Sequence, residues 1–238
     1  YHMISLIFYL YFNSLSNNGF EEFVANYLNL RYGKRERIMT DLALRDLVDY
    51  RGRRNDYSIN PKLLEVFDNK NCNTPNKIMN LLLGKKEKST LVLNDFEYLK
   101  DSKDKAITIL SSAVKTKAKG INILLHGGVG TGKTEFAKLI ANSAKIPMYA
   151  VITEKEDSVE EANRKERLVD LFAKQLVLSR AGQACILFDE AEDVLNRGFS
   201  AFGTASKGYL NKLLDEVSVP VIWTTNNIND VDEAFLRR

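Results

Sequence analysis

The octet Gly127–Thr134, GGVGTGKT, decides how the chain is read. Gly127 is followed by Gly128, Val129, Gly130 and Thr131, then by Gly132, Lys133 and Thr134, the spacing of a loop built to hold polyphosphate. Glycines let the backbone turn so that successive N–H groups converge on an anion. A lysine at this place reaches the β- and γ-phosphates, and the hydroxyl after it ligates Mg²⁺. A plain glycine-rich turn would predict no particular flanks. Here Ile121–Leu125 is an apolar, β-leaning run, and Lys133–Lys145 carries Phe136, Leu139, Ile140 and Ala144 at helical spacing. Strand, loop and helix seat phosphate on a helix N-terminus. The binding segment is read as Gly127–Glu135, with Thr134 also a metal ligand.

The remainder of the chain sets limits. Its 238 residues and 27.0 kDa hold one large domain, or one with a small companion. A hydrophobic fraction of 45% beside 27% charged residues is that of an ordinary globular protein. The net charge of +3 is too small to argue by itself for nucleic acid. Cys72 and Cys185 make no disulfide framework, and Cys185, opening an apolar strand, reads as a small core residue. Ile4–Phe12 is the most apolar run but falls short of the ~20 residues a spanning helix needs. It is read as core, with a membrane anchor as the weaker alternative; no membrane is expected, and a reducing cytoplasm is the location.

Residues 1–89 read as a small, mainly helical region, winged-helix-like being one arrangement it fits. Phe20–Leu30, Arg35–Tyr50, Lys62–Phe67 and a segment ending at Leu83 before Gly84 have helical patterns. Asn55–Pro61 reads as a turn and Lys85–Ser89 as a charged linker. Arginines and lysines between Arg31 and Arg54 could touch phosphates, but Glu36, Asp41, Asp46 and Asp49 are interleaved, which favours a solvated face. From Thr90 onward helices alternate with strands. Helix Ser102–Lys119, strand Met148–Ile152, helix Leu168–Ser179, strand Ala184–Asp189, helix Lys207–Glu216 and strand Val219–Thr224 follow in turn. Such alternation predicts a parallel sheet covered on both faces, an α/β fold.

Three further stretches carry chemistry. Ile186–Glu190, ILFDE, brings Asp189 and Glu190 to the C-terminal end of a strand, where open α/β sheets bind ligands. Asp189 suits Mg²⁺ beside Thr134, and Glu190 suits proton acceptance from water. Trp223–Asn227, WTTNN, ends a strand in amides that can hold a γ-phosphate and an attacking water in place. Asp232–Arg238, DEAFLRR, ends in an arginine pair able to offset charge on a transferring phosphoryl group, although cations also suit any helix C-terminus.

GGVGTGKT, ILFDE, TTNN and VDEAFLRR, in this order and spacing, resemble the module of the AAA+ ATPases over about Asn94–Arg238. The resemblance implies a P-loop NTPase three-layer sandwich with strand order 5-1-4-3-2, in a domain spanning residues 90–238. It implies that Gly127–Thr134 match Walker A, that Asp189 and Glu190 match Walker B, and that Asn226 matches sensor 1, with Asn227 as runner-up. Arg237 and Arg238 match the region of the arginine fingers, which act on a neighbouring subunit. Asn94–Leu99 lies where the family's adenine-pocket entry segment would be. ATP and Mg²⁺ are the implied cofactors. Like chains would assemble as a ring, a hexamer among the sizes, and remodel a protein or complex.

Two departures from the family pattern stand out. Polypeptide-threading members carry an aromatic-hydrophobic-Gly pore loop after the second strand, where this chain has Thr153–Ser158, TEKEDS. Gly198-Phe199 and Phe202-Gly203 offer a different pore loop. The family also continues past its arginines into a fifth strand and a helical lid with sensor 2. Without that strand Ile121–Leu125 is an apolar sheet edge, so the natural protein is expected to extend beyond Arg238. A second function class, a nucleic-acid-associated module such as a helicase loader, rests on the basic N-terminal residues. Asp189–Glu192, DEAE, is similar to an acidic box of translocating helicases, but no Ser-Ala-Thr motif follows.

Overall fold

The computed structural model describes residues 48–51, 56–59, 75–153, 162, 164–181, 183–195 and 214–237. The chain forms two compact units, Tyr1–Leu82 and Leu83–Arg238. In the first, strands β1 (Val48–Arg51) and β2 (Asp56–Ile59) pair antiparallel, with Val48 opposite Ile59 and Tyr50 opposite Tyr57. This corrects two expectations, the helix running to Tyr50 and the turn over 55–61. Val, Ile and Tyr favour extended backbone, and that preference outweighs the partial helical stripe. The apolar run 4–12, the remaining N-terminal helices, the basic residues between Arg31 and Arg54 other than Arg51, Cys72 and both pore-loop candidates after Thr153 lie outside the described residues.

Helix α1 (Pro75–Leu83) ends before Gly84, as the pattern predicts. The charged linker then contains a strand, β3 (Lys86–Glu87), antiparallel to β5 (Met148–Ala150). Charge hid it, because lysines and glutamates mark solvated segments and are also what a sheet edge tolerates. The other strands are β4 (Asn122–His126), β6 (Cys185–Phe188) and β7 (Val221–Thr225). The sheet order is β3-β5-β6-β7-β4, with β5, β6, β7 and β4 mutually parallel. These four, counted in chain order, realise the 1-4-3-2 part of the implied order, and β4 lies at the sheet edge.

Alternation along the strands builds the layers. Cys185, Leu187 and Ile222 face a core with Leu110 of helix α2 (Lys100–Thr116) and Phe136 and Ile140 of helix α3 (Lys133–Ser143). Phe188 and Trp223 point the other way and stack at 4.8 Å, with the Arg167 guanidinium of helix α4 (Arg164–Ala181) 4.4 Å over the Phe188 ring. The result is a helix–sheet–helix sandwich. Gln175 of α4 fastens the second face, accepting from the N–H of Ser218 and Val219 and donating to the Val219 carbonyl. Cys185 is fully buried, as read from its place, and burial pushes its thiol up to about 12. α2 closes with Lys117 left-handed, and beyond it Gly120, at φ +70, brings its backbone against the Asp215 carbonyl. Short helices α5 (Glu192–Leu195) and α6 (Glu233–Leu236) follow β6 and β7 respectively.

Candidate nucleotide site

The parallel strands β4, β6 and β7 all end on one rim, and the three sequence stretches meet there because each follows one of these strands. The phosphate loop leaves β4 and enters α3 through Gly132, which is left-handed at φ +81. A Cβ on Gly132 would sit 3.4 Å from Cζ of Phe96, so the loop's last glycine rests on an aromatic ring. Phe96 is itself buried and 5.0 Å from Phe136, in the 3₁₀ segment Leu93–Leu99.

Lys133 Nζ donates to the carbonyls of Gly127 and Gly128 at 2.9 and 2.8 Å, and to Asn226 Oδ1 at 2.9 Å. One ammonium therefore joins the loop to the end of β7. Asn227, the runner-up, turns elsewhere: its Oδ1 accepts from the Asn229 N–H and its Nδ2 donates to Asp230. Thr134 Oγ1 donates to both oxygens of Asp189, at 3.0 and 2.9 Å. A hydroxyl and a carboxylate facing each other offer the hard oxygen donors that Mg²⁺ prefers. Thr131 Oγ1 donates to the Gly128 carbonyl, closing the loop on itself, and Val129 is largely exposed.

Glu190 is exposed and adopts φ +48, a left-handed conformation unusual for a residue with a side chain. Its N–H donates to Thr224 Oγ1 at 2.8 Å, and its carbonyl accepts from Arg167 Nη1 at 3.0 Å. Arg167 Nη2 donates to the Asp189 carbonyl and Nη1 also to Asp193 Oδ1 at 2.8 Å. Glu192 Oε1 accepts from the Asn226 N–H and, at 3.3 Å, from Thr225 Oγ1. Neither Arg167 nor Glu192 stands out in the sequence as a member of the site. Arg167 lies in a charged helix, and Glu192 reads as one more acid in an acidic run. Thr224 falls inside the quoted TTNN stretch but has no distinguishing neighbour there.

Two predicted site residues make their side-chain contacts with other partners. Glu135 accepts from Ser89 Oγ at 3.1 Å and pairs with Lys138 at 3.2 Å, and Lys138 also reaches Glu87 at 3.1 Å. Burial raises the Glu135 pKa, but hydrogen bonds from Lys138 and Ser89 and the Lys138 charge outweigh it and leave the carboxyl below its usual range. Arg237 is exposed, 3.8 Å from Glu233, and Arg238 lies outside the described residues.

Residues 123–238 match the model of the ATPase family associated with various cellular activities (AAA). An ATP-dependent zinc metalloprotease FtsH of Malacoplasma penetrans is 30% identical over 171 residues, 65% of this chain and 20% of its own length. An ATP-dependent zinc metalloprotease YME1 homolog of Caenorhabditis elegans is 33% identical over 124 residues, 48% of this chain and 17% of its own. The chain thus spans about a fifth of the length of these relatives. A chain in the structure of an E. coli MS115-1 HORMA:CdnC:Trip13 complex aligns over 59% of this chain and 60% of its own, with 20% identity and a TM-score of 0.42.

Proposed function

Since the chain belongs to the AAA ATPase family through residues 123–238, we propose that it binds ATP with Mg²⁺ and hydrolyses it, as part of a ring that remodels a protein or protein complex. The observation that carries this reading is the meeting of Lys133 with Asn226 and of Thr134 with Asp189 on one rim of the sheet. In this reading the N–H groups of the phosphate loop and Lys133 hold the triphosphate. Thr134 and Asp189 hold Mg²⁺, which when bound offsets charge on the phosphate oxygens. Glu190 accepts a proton from the attacking water. Asn226 orients that water and the γ-phosphate, which contributes through placement rather than acid–base chemistry. Arg237 or Arg238 is presented to the nucleotide of a neighbouring subunit; the Arg237 side chain is exposed and, among the described residues, pairs with an equally exposed Glu233 at 3.8 Å, which suits that role.

The test is ATP hydrolysis by the full chain as a function of protein concentration, with Mg²⁺. Specific activity should rise with concentration as subunits assemble, because an arginine acting in trans requires a neighbour. Activity independent of concentration and of both arginines would refute the ring mechanism. Absence of hydrolysis at every concentration would refute the ATPase reading.

A further inference from the structure

We propose that Thr224 is a positioning residue whose hydroxyl couples the metal-holding carboxylate of Asp189 to the backbone of Glu190; the inference rests on the ATPase reading above. Thr224 is fully buried in β7, beside the end of β6. Its Oγ1 donates to Asp189 Oδ1 and accepts from the Glu190 N–H at 2.8 Å. An amide can only donate and a carboxylate can only accept, so the hydroxyl has one orientation that serves both. The Thr224 carbonyl also accepts from the Ala191 N–H at 2.8 Å. Three successive residues, from Asp189 to Ala191, are therefore strapped to this single position.

The strap acts where the backbone departs from its ordinary conformation. Glu190 is left-handed, and both its peptide groups are held, the N–H by Thr224 and the carbonyl by Arg167. Where Glu190 aims its carboxylate follows from that conformation. Packing alone gives no reason for a hydroxyl here. Valine has nearly the same shape, favours strands and brings no polar atom into the interior. The hydroxyl is accounted for by the two groups it joins.

The experiment compares Thr224→Val and Thr224→Ser with the wild-type full chain. Hydrolysis supplies kcat and KM, and titration with a fluorescent ADP, with Mg²⁺ and with EDTA, supplies the gain in nucleotide affinity due to the metal. Thr224→Val should lower kcat by about 10- to 100-fold and shrink the Mg²⁺-dependent gain, as loss of a ligand-orienting partner does, with little change in affinity under EDTA. Thr224→Ser, which keeps the hydroxyl and loses a methyl, should restore both. A valine variant with wild-type kcat and wild-type metal gain overturns the inference, as does a serine variant as impaired as the valine one. If the wild-type chain binds nucleotide but does not hydrolyse it, the ATPase reading fails, and the metal gain still decides the role of Thr224. A wild-type chain that binds no nucleotide overturns both. Should Thr224→Val fail to fold, Thr224→Ala takes its place under the same criteria.

Discussion

Phe96→Ala tests how the phosphate loop is supported. The ring is 5% exposed, 5.0 Å from Phe136, 6.2 Å from Tyr98, and lies where a Gly132 Cβ would come within 3.4 Å. Truncating a buried phenylalanine to alanine costs about 3–5 kcal/mol, since the lost burial is compounded by the cavity left behind. At roughly 2–4 °C per kcal/mol for a unit of this size, the melting temperature should fall by about 6–20 °C. Phe96→Leu keeps most of the volume and should cost about 1 kcal/mol or slightly more. Thermal unfolding followed by circular dichroism reads the stability. Nucleotide affinity, measured well below both melting temperatures, reads the loop. Leu110→Ala serves as the control, because Leu110 is fully buried in the same core but away from Gly132. Phe96→Ala should weaken nucleotide binding and Leu110→Ala should not. A Phe96→Ala protein that melts within about 2 °C of wild type, or binds nucleotide as the Leu110→Ala protein does, would refute the reasoning.

Other outcomes follow from the same geometry. Lys133→Ala should abolish ATP binding, whereas Glu190→Gln should bind ATP and scarcely turn it over; normal turnover in the glutamine variant would remove Glu190 as the proton acceptor. Gly120→Ala places a Cβ 2.7 Å from the Asp215 carbonyl oxygen at a φ of +70, so denaturant melts should show a loss of several kcal/mol, about 2 or more. Cys185 ties stability to alkaline pH. Its folded pKa, about 12, stands above the ordinary thiol value of 9.0, so the unfolded chain ionises first and stability is lost as pH rises from 9 towards 12. At about 1.4 kcal/mol per unit the full loss is roughly 4 kcal/mol. Cys185→Ala should flatten that part of the curve in urea titrations, and an unchanged slope would contradict the assignment.

How much was legible in the sequence depended on whether local chemistry and tertiary position pointed the same way. The phosphate loop, the acid pair and the strand–helix alternation are readable because glycine spacing and apolar periodicity already state what the fold does with them. Strand bounds move by a residue or two, as with Asn122–His126 against the expected Ile121–Leu125. Lys86–Glu87 is unreadable because its pairing depends on β5, more than sixty residues away, and on no preference of its own. Arg167 is hidden for a related reason. Only packing of α4 against the second face of the sheet carries its guanidinium to the carbonyls of Asp189 and Glu190. Thr224 looks like any β-branched strand residue until the end of β6 lies beside it. Val48–Arg51 misleads in the opposite direction, since a partial helical stripe overlies residues that prefer extended backbone.

The left-handed turn at Glu190 has a consequence for selection. Glycine adopts that conformation freely, whereas any residue with a Cβ pays about 1–2 kcal/mol for it. Glu190→Gly should therefore be the rare substitution that hardens the protein while silencing it. A laboratory lineage bred for heat resistance alone would drift toward that dead form, and only a demand for turnover would hold the glutamate in place.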